Sequence, residues 1–247
     1  MNPTLPITET IKSAWSKVKS SKSTFFIVFV CYIASYFIPV AKIFPHEGVG
    51  KILIAVASIG VIVFITYPLQ WSLFYLGIQR AMDMNIKLNM IKQAFKLNVI
   101  LKMFGYVLLI FAIMLVPCVF LWLPKLVFLP IANSSFIGSN LNTIMKLLTA
   151  LSYILGMVTG VFAFYLVIRF KLVYGLILMK GLNPWAAIKA SYKATQSNVC
   201  RIILLLILML FILAVSAFSL GIAYVWTVPF CLILYGEIYK RLVVMQE

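Results

Sequence analysis

The chain has 247 residues, 64% of them hydrophobic and only 11% charged, yet 21 Lys+Arg stand against 5 Asp+Glu for a formal net charge of +16. A soluble domain is nearer half apolar and a quarter charged, so this composition excludes an ordinary soluble fold, a disordered chain and a disulfide scaffold. It predicts a multi-span membrane protein, with the basic excess read first as Lys and Arg kept on the cytoplasmic side and not as a nucleic-acid surface.

A helix needs about 20 apolar residues to cross a hydrocarbon core about 30 Å thick. In chain order the apolar runs predict spans at 24–41, 52–78, 103–123, 147–168, 202–218 and 222–238. The last two come from one nearly unbroken run over 202–236, which as a single helix would reach about 52 Å. That is too long even with tilt. Ser219 and Gly221 therefore predict a tight turn and a hairpin of two short spans. The expected fold is all-α, a single integral membrane domain over 1–247 with six transmembrane helices.

Orientation follows from the basic residues. Under this topology only Lys42, Lys51, Lys125 and Lys146 lie on one side, and the other 17 of the 21 lie opposite. Both termini are therefore expected in the cytoplasm. The apolar run begins only at Thr24 and no small-residue cleavage pattern follows it, so the first span is expected to remain in the mature chain.

Three cytoplasmic segments echo one another: Ile11-Lys12-Ser13-Ala14-Trp15, Ile91-Lys92-Gln93-Ala94-Phe95 and Ile188-Lys189-Ala190-Ser191-Tyr192. Tyr75 to Ile78, Tyr165 to Ile168 and Tyr235 to Ile238 form a second echo, each followed by basic residues. The pattern predicts three parallel repeats, units 7–80, 87–171 and 184–241, each an interfacial helix, a span out and a span back. The alternative is chance likeness among short basic-aromatic segments in a biased composition.

Within each segment apolar residues recur every three or four positions: Ile7, Ile11, Trp15 and Val18, then Ile91, Phe95 and Val99, then Trp185, Ile188, Tyr192 and Val199. Asn183-Pro184 is a helix start, with Asn as N-cap and Pro at the first helical position. Such amphipathic helices can lie in the headgroup plane or pack on the ends of the spans. The candidate lipid-contact residues are Lys12, Trp15, Lys92, Phe95, Trp185, Lys189, Tyr192 and Lys193. Membrane lipid, anionic by charge, is the expected partner. A protein partner or a homodimer is the further possibility, and no nucleic acid is expected, since no recognition module is present.

The order of elements across LVYGLILMKGLNPWAAIKASYKATQSNVCRIILL and YPLQWSLFYLGIQRAMDMNIKLNMIKQAF resembles the YciC type of uncharacterised bacterial inner-membrane proteins. It is similar also to the group that includes the membrane domain of some glycerophosphodiester phosphodiesterases. The resemblance runs along nearly the whole chain. It implies an all-α, multi-span protein of the bacterial cytoplasmic membrane. It carries over no activity, because the phosphodiesterases hold their chemistry in a separate soluble domain, and it supplies no functional residues.

Chemistry-bearing residues are sparse. His46 and Glu47 share one external loop but are too few for a metal site. Glu9, Asp83, Glu237 and Glu247 are unpaired in sequence, and Glu237 is placed to pair with Lys240 and Arg241 along its own helix. Cys31, Cys118, Cys200 and Cys231 show no paired spacing, so neither disulfide nor zinc is expected. Asn133-Ser134-Ser135 matches a glycosylation acceptor by chance. No cofactor, no metal and no enzymatic activity are expected.

Inside the spans Gln70 is the notable polar group, beside Pro68 and Trp71, with Pro39, Pro117 and Pro229 in other spans. It is expected to bond a neighbouring helix, or else to meet a substrate. Ser152, Gly156 and Gly160 recur every four residues, a stripe for close helix packing or a dimer face. The leading expectation is a non-enzymatic membrane scaffold, assembly or envelope-homeostasis factor. The alternative is a transporter or exporter of a lipidic or small apolar molecule. A cavity lined by Gln70 would favour the alternative, and a solid core would oppose it.

Overall fold

The computed structural model describes residues 5–36, 49–132, 141–219 and 222–245. His46, Glu47, Lys42, Pro39, Gly221 and the Asn133 acceptor lie outside the described residues, as do the side chains of Cys118, Pro117 and Ser152. Among the described residues the chain is all helix with no strand. The helices are α1 (Ile7–Val18), α2 (Lys22–Ser35), α3 (Val49–Val61), α4 (Tyr67–Ala81), α5 (Leu97–Ala132), α6 (Leu141–Arg169), α7 (Val173–Lys180), α8 (Pro184–Thr195), α9 (Val199–Ala217) and α10 (Tyr224–Tyr239). Four runs, Val56–Ala81, Leu97–Leu115, Tyr153–Lys180 and Val199–Ala217, are long and apolar enough to cross a membrane, whereas Lys22–Ser35 is apolar but shorter.

Local chemistry accounts for the breaks. α3 runs into α4 through a π-helical turn at Ile62–Thr66, where the Tyr67 N–H bonds back to the Ile62 carbonyl. Pro68 follows at once, and a proline here has no N–H to give and crowds the carbonyl four residues back. Widening the turn before it relieves that crowding. The apolar run over 202–236 is interrupted near the expected place: α9 stops at Ala217, and α10 starts at Tyr224. Ser219 helps the restart, since its hydroxyl accepts from the Ala223 N–H at 3.1 Å.

The second interfacial segment departs from expectation. Residues Leu88–Gln93 form a short 3₁₀ helix, followed by a turn before α5, where a longer amphipathic helix was expected. Only three residues separate it from Leu97, which leaves too few for a second stable turn. α7 is the other surprise. It is a short, almost fully buried apolar helix in what the charge pattern assigned to a cytoplasmic connection. Gly181, left-handed at φ 63°, ends it.

α1 with α2, and α8 with α9, match in detail. Each pair is a 12-residue helix, three turn residues and a new apolar helix. Buried positions correspond at one constant offset: Ala14 with Ser191, Val18 with Thr195, Ser21 with Asn198, Phe25 with Ile202 and Val28 with Leu205. In all three echoed segments the small residue (Ala14, Ala94 and Ser191) is fully buried, while the neighbouring Lys and aromatic are exposed.

α10 is the centre of the bundle, packed against α4, α1, α2 and α9. From Val228 to Tyr239 it is buried at every position but Leu232. α4 crosses it at glycine against glycine. A Cβ on Gly77 would overlap the Leu232 carbonyl oxygen, and one on Gly236 would overlap that of Gly77. The missing side chains are what let the two backbones meet. On Gly160, by contrast, a Cβ would meet nothing within 4 Å, so this end of the small-residue stripe faces open space.

Candidate functional site

Two features stand out against the apolar bundle: a knot of ion pairs where α1, α4 and α10 meet, and a cavity among α2, α4, α6, α9 and α10.

The knot is built on Glu237, whose side chain is only 3% exposed. Ser13 Oγ donates to its Oε1 at 2.7 Å, and Lys17 Nζ sits 2.8 Å from the same oxygen. Lys17 also pairs with Asp83 at 2.8 Å and donates to the Ala81 carbonyl, at the end of α4, at 2.7 Å. Lys240 pairs with Asp83 at 3.1 Å. The expected helix-end pairing of Glu237 is kept with Arg241 and corrected for Lys240. Lys240 turns to Asp83, Arg241 Nε stands off at 3.8 Å, and the close partners come from α1. The reason is that α1 packs against α10 and so brings Lys17 within 2.8 Å of this carboxylate. The hydrogen bond from Lys17, reinforced by Lys240, holds the Asp83 carboxyl below the usual carboxylate range. These contacts pin α1, α4 and α10 together, with each carboxylate engaged by at least one lysine.

The cavity has a volume of about 730 Å³. Its wall is apolar, with Phe29 and Ile33 of α2, Phe74 of α4, Phe164 of α6 and Leu206 and Leu210 of α9. Ile33, Phe164, Ile207 and Leu210 are themselves exposed on the flank of the bundle, Leu210 at 65%, so the cavity opens sideways through an apolar rim. Gln70 lines it, as do Tyr32, Tyr224 and Lys171. Among the described residues Gln70 makes no side-chain hydrogen bond to the protein.

Lys171 sits in the corner between α6 and α7, and its surroundings explain why it points where it does. The Tyr235 hydroxyl donates to its carbonyl at 2.9 Å. Its neighbour Arg169 is tied down separately. Arg169 donates to Tyr165 Oη at 2.8 Å and to the Tyr192 carbonyl at 3.3 Å, and it lies over both rings, 4.4 Å from that of Tyr192. Ser191 Oγ returns a hydrogen bond to the Arg169 carbonyl at 2.6 Å, which locks α8 under α6. Lys171 Nζ instead lies 5.9 Å from the Phe74 ring and 6.0 Å from that of Tyr235. Among the described residues it has no ion pair and no hydrogen-bond acceptor. A second cavity of about 330 Å³, beside Tyr106 and Tyr174, shares Lys171 and Val167 with the first.

The candidate contact residues fall at several places. Lys12, Lys92, Lys189 and Lys193 are exposed. Trp15 is 60% exposed yet meets Phe230 edge-on at 5.5 Å, and Trp185 is 63% exposed. Phe95 is at the border of exposure, while Tyr192 is the lid on Arg169. Gly156 is half-buried. None of these joins Gln70 at the cavity. Lys171, which does, is in the sequence one more basic residue at the end of an apolar run. Its signal is the pair of basic residues Arg169 and Lys171 astride a helix end, which does not say which one turns inward. No group of three His, Cys, Asp or Glu able to hold a metal is found among the described residues.

These features define an all-helical protein whose longest helices suit a membrane and whose bundle holds an apolar cavity open at its flank. No family model, no curated protein and no solved structure matches the chain.

Proposed function

We propose that this chain is a multi-pass protein of the bacterial cytoplasmic membrane that takes a lipidic molecule sideways from the bilayer into the cavity beside Gln70. The observation that carries the reading is the cavity itself, of about 730 Å³, apolar and rimmed by exposed apolar residues. Pockets that enclose small ligands span about 300–1,000 Å³ and are lined mainly by apolar side chains with a few polar groups. A pure scaffold has no need of such a space. Movement of the bound molecule, as by a transporter or exporter, is the activity proposed, and no catalytic step is assigned.

Lipid extraction from the purified protein tests it. The wild type is expected to retain co-purifying lipid after detergent exchange, while Leu210→Trp, which fills the mouth, loses most of it. Equal retention by both, or none by either, overturns the proposal.

The scaffold reading keeps one observation of its own. Trp15 and Trp185 are exposed beside exposed Lys12, Lys189 and Lys193 on the matching helices α1 and α8. That arrangement supports docking on an anionic leaflet, at about 1 kcal/mol per basic residue near the surface. The matched burial of the two helix pairs supports their being copies of one unit. Orientation with both termini cytoplasmic rests on the basic-residue bias. A reporter fused after Glu247 is expected to read as cytoplasmic, and an external signal would reverse the topology.

A further inference from the structure

We propose that the cavity's ligand is a single-chain amphiphile with an anionic head, a carboxylate or phosphate monoester, seated on the Lys171 ammonium. This rests on the lipid-uptake reading and names the class of molecule taken up.

Among the described residues Lys171 is the one basic or acidic side chain on the wall of the larger cavity. An ammonium beside apolar surface is costly unless something compensates it. The faces of Phe74 and Tyr235 attract it, but an aromatic quadrupole is not a counter-charge. The buried carboxylate of Glu237 is taken by Lys17 and Ser13, and Asp83 is shared by Lys17 and Lys240. The positive charge at the cavity is therefore left without a protein anion among the described residues. An anionic head from the bilayer supplies the missing partner by a charge-assisted hydrogen bond.

The remaining wall suits the rest of such a molecule. Gln70 offers a neutral donor and acceptor on the same cavity. From there the surface is apolar out to Leu210 and Ile33 at the rim, where an alkyl chain can continue into the lipid. The contrast with Arg169, two residues earlier, sharpens the assignment. That cation has neutral acceptors and two rings closing over it, so nothing is left for a ligand to satisfy.

The test uses the full chain in phosphatidylcholine nanodiscs. Binding of palmitate, palmitoyl lysophosphatidate, palmitoyl lysophosphatidylcholine and hexadecanol is compared by native mass spectrometry. Both anionic probes, or whichever of the two matches the head, are expected to bind about tenfold tighter than hexadecanol or more. Lys171→Met is expected to erase that preference while hexadecanol binding stays, and Lys171→Arg to keep it. Hexadecanol binding as tightly as both anionic probes overturns the headgroup assignment and leaves lipid uptake standing. A preference that survives Lys171→Met overturns it also. Binding of no probe by the wild type overturns both readings. The wild-type comparison of heads stands by itself if Lys171→Met fails to fold.

Discussion

Gly236→Ala is expected to cost about 3 kcal/mol or more, toward the upper end of overpacking penalties. The new methyl would overlap the Gly77 carbonyl oxygen and lie 2.9 Å from Ala81 Cβ. A flexible side chain could swing aside, but a helix carbonyl cannot move without its helix. α4 would have to part from α10, and α10 is the element against which α1, α2 and α9 also pack. Gly77→Ala meets the Leu232 backbone and is expected to behave alike. Gly160→Ala is the control. Its Cβ would meet nothing within 4 Å, so the change is expected to be neutral or slightly favourable through helix propensity. Thermal melting of the detergent-solubilised protein, followed by size-exclusion, separates these outcomes. A Gly236→Ala protein that melts with the wild type would refute the close crossing.

The second large effect concerns Lys17. Lys17→Met leaves the Glu237 carboxylate buried, with Ser13 as its one hydrogen-bond donor and Arg241 Nε at 3.8 Å. Breaking a buried pair on one side costs about 3–5 kcal/mol, and the remaining contacts put this case near the lower bound. Glu237→Leu alone is expected to cost less, because Lys17 keeps Asp83 and the Ala81 carbonyl. The double variant Lys17→Met with Glu237→Leu removes both charges together. It is expected to be more stable than Lys17→Met alone, since the uncompensated carboxylate is gone. A double variant whose loss equals the sum of the single losses would show that the two groups do not act as a pair. Asp83 is 64% exposed, so Asp83→Asn is expected to cost under about 1 kcal/mol.

Much of the helical layout was legible because it depends on short-range chemistry. Asn183-Pro184 marks the start of α8 in the sequence and in the structure. The break expected in the 202–236 run falls around Ser219, where α9 and α10 part, although α5 runs unbroken over 36 residues, so length alone does not force it. Pro68 announces an irregularity, and the π turn precedes it. The site was only half legible. Gln70 is conspicuous as an amide in an apolar run, and it does line a cavity. Lys171 is not conspicuous, because a Lys at a span's end is what topology alone would put there. Its role comes from Tyr235, Phe74 and α9 residues brought from far along the chain.

A charge of +16 on a 64% hydrophobic chain pointed to apolar helices suited to a membrane, and hydropathy and proline, which act within one segment, located those helices approximately, though α5 and α6 extend past the apolar runs expected for them. The sequence could not determine which helix is central, because lipid and protein core are equally apolar and α10 reads like any other apolar run. Only the tertiary structure decided that α10 is enclosed, that Gly77 meets Gly236, and that Lys17 serves Glu237 across 220 residues of chain. It also separated two cations two residues apart, closing Arg169 inside a cage of rings and acceptors and leaving Lys171 to face the cavity. The physical reason is that a net charge is a sum over residues, whereas a binding site depends on which single charge the packing leaves uncompensated.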